Sequence, residues 1–116
     1  MKDKLDLKKY LVLPSKTIRQ SMQKMDDEAI RTLFICDADL KLLGVVTDGD
    51  IRRSLLKGIS LDSEIMQIVN TNPITATRNE SKNTILERMR SCDILMIPIL
   101  SDRKKLISVE TINSLL

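Results

Sequence analysis

Apolar and polar positions along the chain follow a rhythm that occurs twice. Tyr10, Leu11 and Val12 form a short apolar run closed by Pro14, after which Ile18, Met22, Met25 and Ala29 recur at helical spacing. Thr17 stands just before that helix with Gln20 three residues on, the arrangement of an N-terminal capping box. The Asp26-Asp27-Glu28 cluster marks the helix end. RTLFIC at 31–36 predicts a strand, DADLK at 37–41 a turn, and LLGVVT at 42–47 a second strand. Ile51, Leu55 and Leu56 predict a short helix, starting near Asp50, that Gly58 can end.

Sliding the chain against itself by 64 positions, without gaps, brings the second rhythm onto the first. Met22 and Met25 fall on Leu86 and Met89, and Leu33 and Ile35 fall on Ile97 and Ile99. KLLGVVT at 41–47 falls on KLISVET at 105–111. The second pass predicts a strand near Ile74, a helix from about Ser81 to Ser91, strands at ILMIPIL and LISV, and a final helix ending at Leu116. Between the copies, LDSEIMQIV at 61–69 predicts a linking helix and NTNP a turn. The expected division is a first unit at 8–60, a linker at 61–72 and a second unit at 73–116, within one module of residues 1–116. Each unit reads strand-helix-strand-strand-helix, and one alone is too small to bury both faces of its sheet. The expected fold class is therefore α/β (α+β), two units packed with pseudo-twofold symmetry and clefts where they meet.

Composition narrows the function. A hydrophobic content of 42% and a charged content of 30% are those of a soluble globular protein. No apolar run approaches a membrane span, and MKDKLDLKKY lacks a signal-peptide core, so a cytoplasmic protein without membrane contact is expected. Cys36 and Cys92 lie in apolar sequence and are expected to be reduced, buried and inert. The absence of histidine removes the commonest general base and metal ligand, and two cysteines cannot complete a zinc shell. Residues 1–58 carry 12 cationic and 9 anionic side chains, whereas 59–116 are balanced at 7 of each, so the surplus cation lies in the first half. With Tyr10 and Phe34 as the aromatic residues, base stacking has little to use, and no nucleic-acid partner is expected.

The richest chemistry lies in GVVTDGDIRRSLLKG at 44–58. The strand delivers Thr47 to the start of a helix, where unpaired backbone N–H groups favour anions. Thr47 can donate to a phosphate oxygen, Gly49 permits a tight turn, and Arg52 or Arg53 can add charge-assisted bonds. A carboxylate at Asp50 opposes phosphate but suits the paired hydroxyls of a ribose. A nucleotide site is one reading. The other is that Asp48 and Asp50 cap the helix and the arginines are solvated. Asp48-Gly49-Asp50 also fits a D-x-D metal-nucleotide pattern, but two carboxylates make a poor magnesium cage. Met22, Met25, Met66, Met89 and Met96 read as core. LKK at 7–9 and Asp102 to Lys105 read as solvated, the latter as a hairpin tip.

G-h-h-T-x-x-D after an apolar strand, in a duplicated unit of this size, resembles the CBS domain, which occurs in tandem pairs. The resemblance covers essentially the whole chain. The stretch from GVVTDGDIRRSLLKG through TNPIT is similar to the CBS pair preceding sugar-phosphate nucleotidylyltransferase domains. The resemblance implies a regulatory module binding AMP, ADP, ATP or S-adenosylmethionine, with no cofactor or catalytic residue of its own. It implies that Asp50 holds the ribose, that Thr47 with Arg52 or Arg53 approaches phosphate, and that the base lies against Leu11, Val12, Leu13 and Leu43. The second copy departs from the pattern: Thr111 matches Thr47, but Ser114 stands for Asp50 and Glu110 for Val46. One competent site at most, on the first copy, is expected.

A fused or partner catalytic domain and a homodimer are the expected partners. The pattern stops at Leu116 inside a helix, so a nucleotidylyltransferase domain is expected after it. The competing reading is a ligand-free structural or dimerisation module. An independent enzyme is disfavoured, because no histidine, nucleophile elbow or Walker loop is present.

Overall fold

The structure, a computed structural model, describes residues 7–116. Two compact units divide the chain at Pro73 and Ile74. The first opens with a 3-10 turn over Leu7–Tyr10 and continues through β1 (Leu11–Val12), α1 (Ile18–Glu28), β2 (Thr32–Cys36), β3 (Leu42–Thr47) and α2 (Asp48–Leu56). The second contains β4 (Ala76–Thr77), α3 (Lys82–Cys92), β5 (Met96–Leu100), β6 (Leu106–Thr111) and α4 (Ile112–Leu115). Each unit has one three-stranded sheet, ordered β1-β2-β3 and β4-β5-β6, with the short strand parallel to the central one and the hairpin antiparallel.

The 64-residue offset holds in the backbone, residue by residue. Val12 pairs with Ile35 as Ala76 pairs with Ile99, and Thr32 opposes Thr47 as Met96 opposes Thr111. The hairpin register shifts at Ile35/Cys36 and again at Ile99/Leu100. Thr17 and Ser81 cap α1 and α3, while Ala29 and Asp93 end them in the left-handed region, at φ 55° and 54°. In the two hairpin turns, Asp37 Oδ1 accepts from the N–H groups of Asp39 and Lys41, and Ser101 Oγ from those of Arg103 and Lys105. Different residues meet the same backbone requirement.

Each unit has its own buried cluster. In the first unit Val12, Ile18, Met25, Leu33, Ile35, Val46, Ile51 and Ile65 form the buried cluster. On β2, Phe34 alternates to the opposite face and meets Tyr10 at 6.4 Å between ring centroids. Both rings are buried. In the second unit Ala76, Ile85, Leu86, Met89, Ile97, Ile99 and Leu115 form the cluster.

Four expectations require correction. The 61–69 segment is not a linking helix: a four-residue 3-10 turn, Ile65–Ile68, is its only helical part. It is also no linker, because Ile65 is fully buried in the first core and Ile18 and Arg19 donate backbone hydrogen bonds to Ser63 and Leu61. Asn70 then exchanges backbone bonds with Val45 on β3, at 3.0 and 2.9 Å. The strand expected near Ile74 begins at Ala76. Cys92 is exposed at the end of α3 while Cys36 is buried on β2. Met22 points outward from α1, 38% exposed, because the buried stripe of that helix runs through Ile18, Ser21 and Met25. No helix among the described residues is long and apolar enough to cross a membrane.

Candidate functional site

Strand β3 ends and helix α2 begins without an intervening loop, so Thr47 is both the last strand residue and the helix N-cap. Its extended backbone, at φ −112° and ψ 166°, lets the side chain fold over the first turn. Thr47 Oγ1 accepts from the Asp50 N–H at 3.2 Å, and Asp50 Oδ2 accepts from the Thr47 N–H at 2.9 Å. Asp50 Oδ1 accepts from Arg53 Nη2 at 2.8 Å. The capping role is thus realised in full.

Chemistry remains beyond the cap. Each Asp50 oxygen accepts one of these bonds and has a second lone pair, and the side chain stays 31% exposed. The Thr47 hydroxyl, accepting from the helix, still has its proton to donate. Gly49 lies beneath both guanidiniums: a side-chain carbon there would come within 3.2 Å of Arg53 Nη1 and 3.6 Å of Arg52 Nη2. Thr47, Gly49, Asp50, Arg52 and Arg53 therefore form one cluster at the start of α2, where backbone N–H groups add positive potential.

The second unit repeats the box in altered form. Thr111 Oγ1 accepts from the Ser114 N–H at 3.1 Å, and Ser114 Oγ accepts from the Thr111 N–H at 2.8 Å. The same Ser114 hydroxyl donates to the Glu110 carboxylate on β6. A carboxylate thus borders this box as well, delivered by the strand.

The residues expected to line a base stand elsewhere in the first unit. Val12 is buried in the core, 7% exposed, and Leu43 packs partly buried on the same cluster. Leu43 sits four residues back along β3 from Thr47, roughly 13 Å at strand rise. Leu13 is exposed and lines a groove of about 650 Å³ between the chain at 8–16 and α1. That groove is lined by Lys8, Lys9, Lys16 and Lys24 together with Asp27 and Glu28. In the sequence Lys8 and Lys9 read as solvated, and nothing there marks Lys16 or Lys24. Their spacing carries no motif, and only the fold of β1 against α1 gathers them.

A family match falls within the first unit. Residues 7–57 match the CBS domain. The second unit follows the same plan at the same offset, and the chain has the fold of a CBS-domain pair. The CBS domain pair of protein MJ0100, solved with 5′-methylthioadenosine and S-adenosyl-L-methionine, superposes with a TM-score of 0.77 at 22% identity, covering 98% of this chain and 86% of that one. The CBS domain protein PAE2072 from Pyrobaculum aerophilum, complexed with AMP, gives 0.77 at 23% identity over 90% of this chain and 80% of that one. Among curated sequences, the arabinose 5-phosphate isomerase KdsD of Francisella tularensis is 25% identical over 108 residues, covering 91% of this chain and 32% of that protein. The chain spans about a third of the length of the first curated relatives it matches.

Proposed function

We propose that this CBS pair is a regulatory module that binds an adenine nucleotide at the start of α2 and passes its occupancy to a catalytic domain. The Asp50 carboxylate carries the reading. It is fixed by the Thr47 N–H and Arg53, yet retains lone pairs facing solvent that suit two adjacent ribose hydroxyls. The Thr47 hydroxyl, the first-turn N–H groups, Arg52 and Arg53 supply the partners for phosphate. Solved pairs of the same fold that carry AMP or S-adenosylmethionine support an adenosine-containing ligand. Val12, Leu13 and Leu43 are left out of the polar site. Thr111 would serve a second, weaker one, with Glu110 in place of the helical carboxylate.

The catalytic domain we propose acts on a sugar phosphate, in the cytoplasm and as a homodimer. A nucleotidylyltransferase fits the resemblance of residues 44–75, and the Francisella isomerase favours a sugar-phosphate isomerase as the second possibility. A ligand-free dimerisation module is the rival account, favoured by the complete cap at Asp50 and by the outward Met22. Calorimetric titration with AMP, ADP, ATP and S-adenosylmethionine, repeated on Asp50→Ala, separates the two. Saturable heat that weakens by about 1–3 kcal/mol in the variant supports nucleotide binding. Absence of heat in both proteins supports the rival.

A further inference from the structure

We propose that the groove between β1 and α1 binds a small phosphate monoester through Lys16 and Lys24, a site that shares no residue with the Thr47–Asp50 box. The argument comes from setting the two units side by side at their common offset. In the second unit Glu80, just before the cap of α3, is paired with Arg88 inside that helix. Arg88 Nη1 also donates to the Thr75 carbonyl at 3.0 Å, and Glu80 Oε2 accepts from the Thr77 N–H at 2.8 Å. An internal anion and cation thus tie the edge strand to the helix.

The same two backbone positions in the first unit hold Lys16 and Lys24. The caps that fix them, Thr17 and Ser81, are equivalent, so the exchange is a true replacement of an ion pair by two cations. Lys24 Nζ donates to the Lys8 carbonyl at 3.0 Å. Lys16 is exposed and has no ion-pair partner among the described residues. Both lysines line the 650 Å³ groove. Two like charges on one groove repel, and an anion seated between them relieves the repulsion.

A phosphate monoester suits the vacancy left by the glutamate. It carries close to two negative charges near pH 7 and three acceptor oxygens, and lysine is a common phosphate partner. The lining carries four lysines, Lys8, Lys9, Lys16 and Lys24, against the two carboxylates of Asp27 and Glu28, so its net charge is positive. Leu13 offers an apolar wall, while the side-chain amide of Gln20 can bond hydroxyl groups. The ligand class is a short hydroxylated phosphate monoester.

NMR titration with glucose 6-phosphate tests this, with glucose and inorganic phosphate as separate arms. Saturable shifts at the amides of Lys16, Gln20 and Lys24 are expected with the monoester and none with glucose. Lys16→Glu restores the pair found in the second unit and should weaken binding roughly tenfold or more, as should the milder Lys16→Gln. Asp50→Ala should leave the groove response unchanged, which keeps this result distinct from that for the nucleotide site. Absence of saturable groove shifts, full affinity in both Lys16 variants, or equal affinity for inorganic phosphate would overturn the assignment.

Discussion

Thr47 and Asp50 hold each other at both ends, side chain to backbone, across the first turn of α2. The reciprocal bonds satisfy one otherwise unpaired helix N–H and the N–H of the cap itself. Thr47→Ala should therefore lower unfolding stability by about 1 kcal/mol, and Thr47→Ser by much less. Arg53 is 61% exposed, so its ion pair with Asp50 adds only ~0.3–0.5 kcal/mol. Urea denaturation of Thr47→Ala, Thr47→Ser and an Arg53→Ala variant checks this order.

Two glycines of the first unit should respond in opposite ways to alanine. At Gly44 an added carbon would lie 2.8 Å from the Asn70 carbonyl oxygen and 2.8 Å from Val69 Cγ2, both on the segment laid against β3. Neither can move without breaking the Val45–Asn70 pairing, so Gly44→Ala should cost about 1–3 kcal/mol. At Gly49 the nearest atoms are the ends of Arg53 and Arg52, which can swing away. Gly49→Ala should leave thermal stability unchanged or slightly raised by helix propensity. Melting temperatures of the two variants provide the comparison.

The Arg88 guanidinium, with the Thr77 N–H second, holds the Glu80 carboxyl down at about 2, against an ordinary value of 4.5. The folded state binds this proton less readily than the unfolded chain. The resulting stability is complete above pH 4.5 and disappears as pH falls toward 2. Glu80→Gln should cost about 1 kcal/mol at neutral pH, given the partial exposure of the pair, and should flatten the acid limb of a stability–pH profile.

The two thiols differ in environment. Burial, followed by the nearby Asp37 carboxylate, pushes Cys36 up to about 11, whereas Cys92 is exposed at the end of α3. Thiolate is the reactive form, so a thiol reagent at pH 8 should label one equivalent quickly. Cys92→Ser should abolish that fast phase and leave the slow one.

The repeat was legible in the sequence because both copies keep the same apolar spacing and the same cap positions, Thr17 with Ser81 and Thr47 with Thr111. These are local signals. The 61–69 segment misled because Ile65 and Ile68 also fit a helical spacing, while its actual structure is set by long-range bonds to Lys16, Ile18, Arg19 and β3. The Thr47–Asp50–Arg53 cluster was readable because the three follow one another at three-residue steps over the first two turns of one helix. The lysine groove was not, since Lys16 and Lys24 face one space only after β1 and α1 fold together. Apolar sequence around Cys92 suggested burial, but its position at the last turn of α3 leaves it in solvent.

The central claim is that Asp50 meets the ribose hydroxyls of an adenine nucleotide. A double-mutant cycle measures that contact directly: AMP and 2′,3′-dideoxy-AMP, each titrated against wild type and Asp50→Ala. Removal of the hydroxyls and removal of the carboxylate should be non-additive, with a coupling of about 1–3 kcal/mol. Additive losses, or equal affinity of all four combinations, would contradict the account.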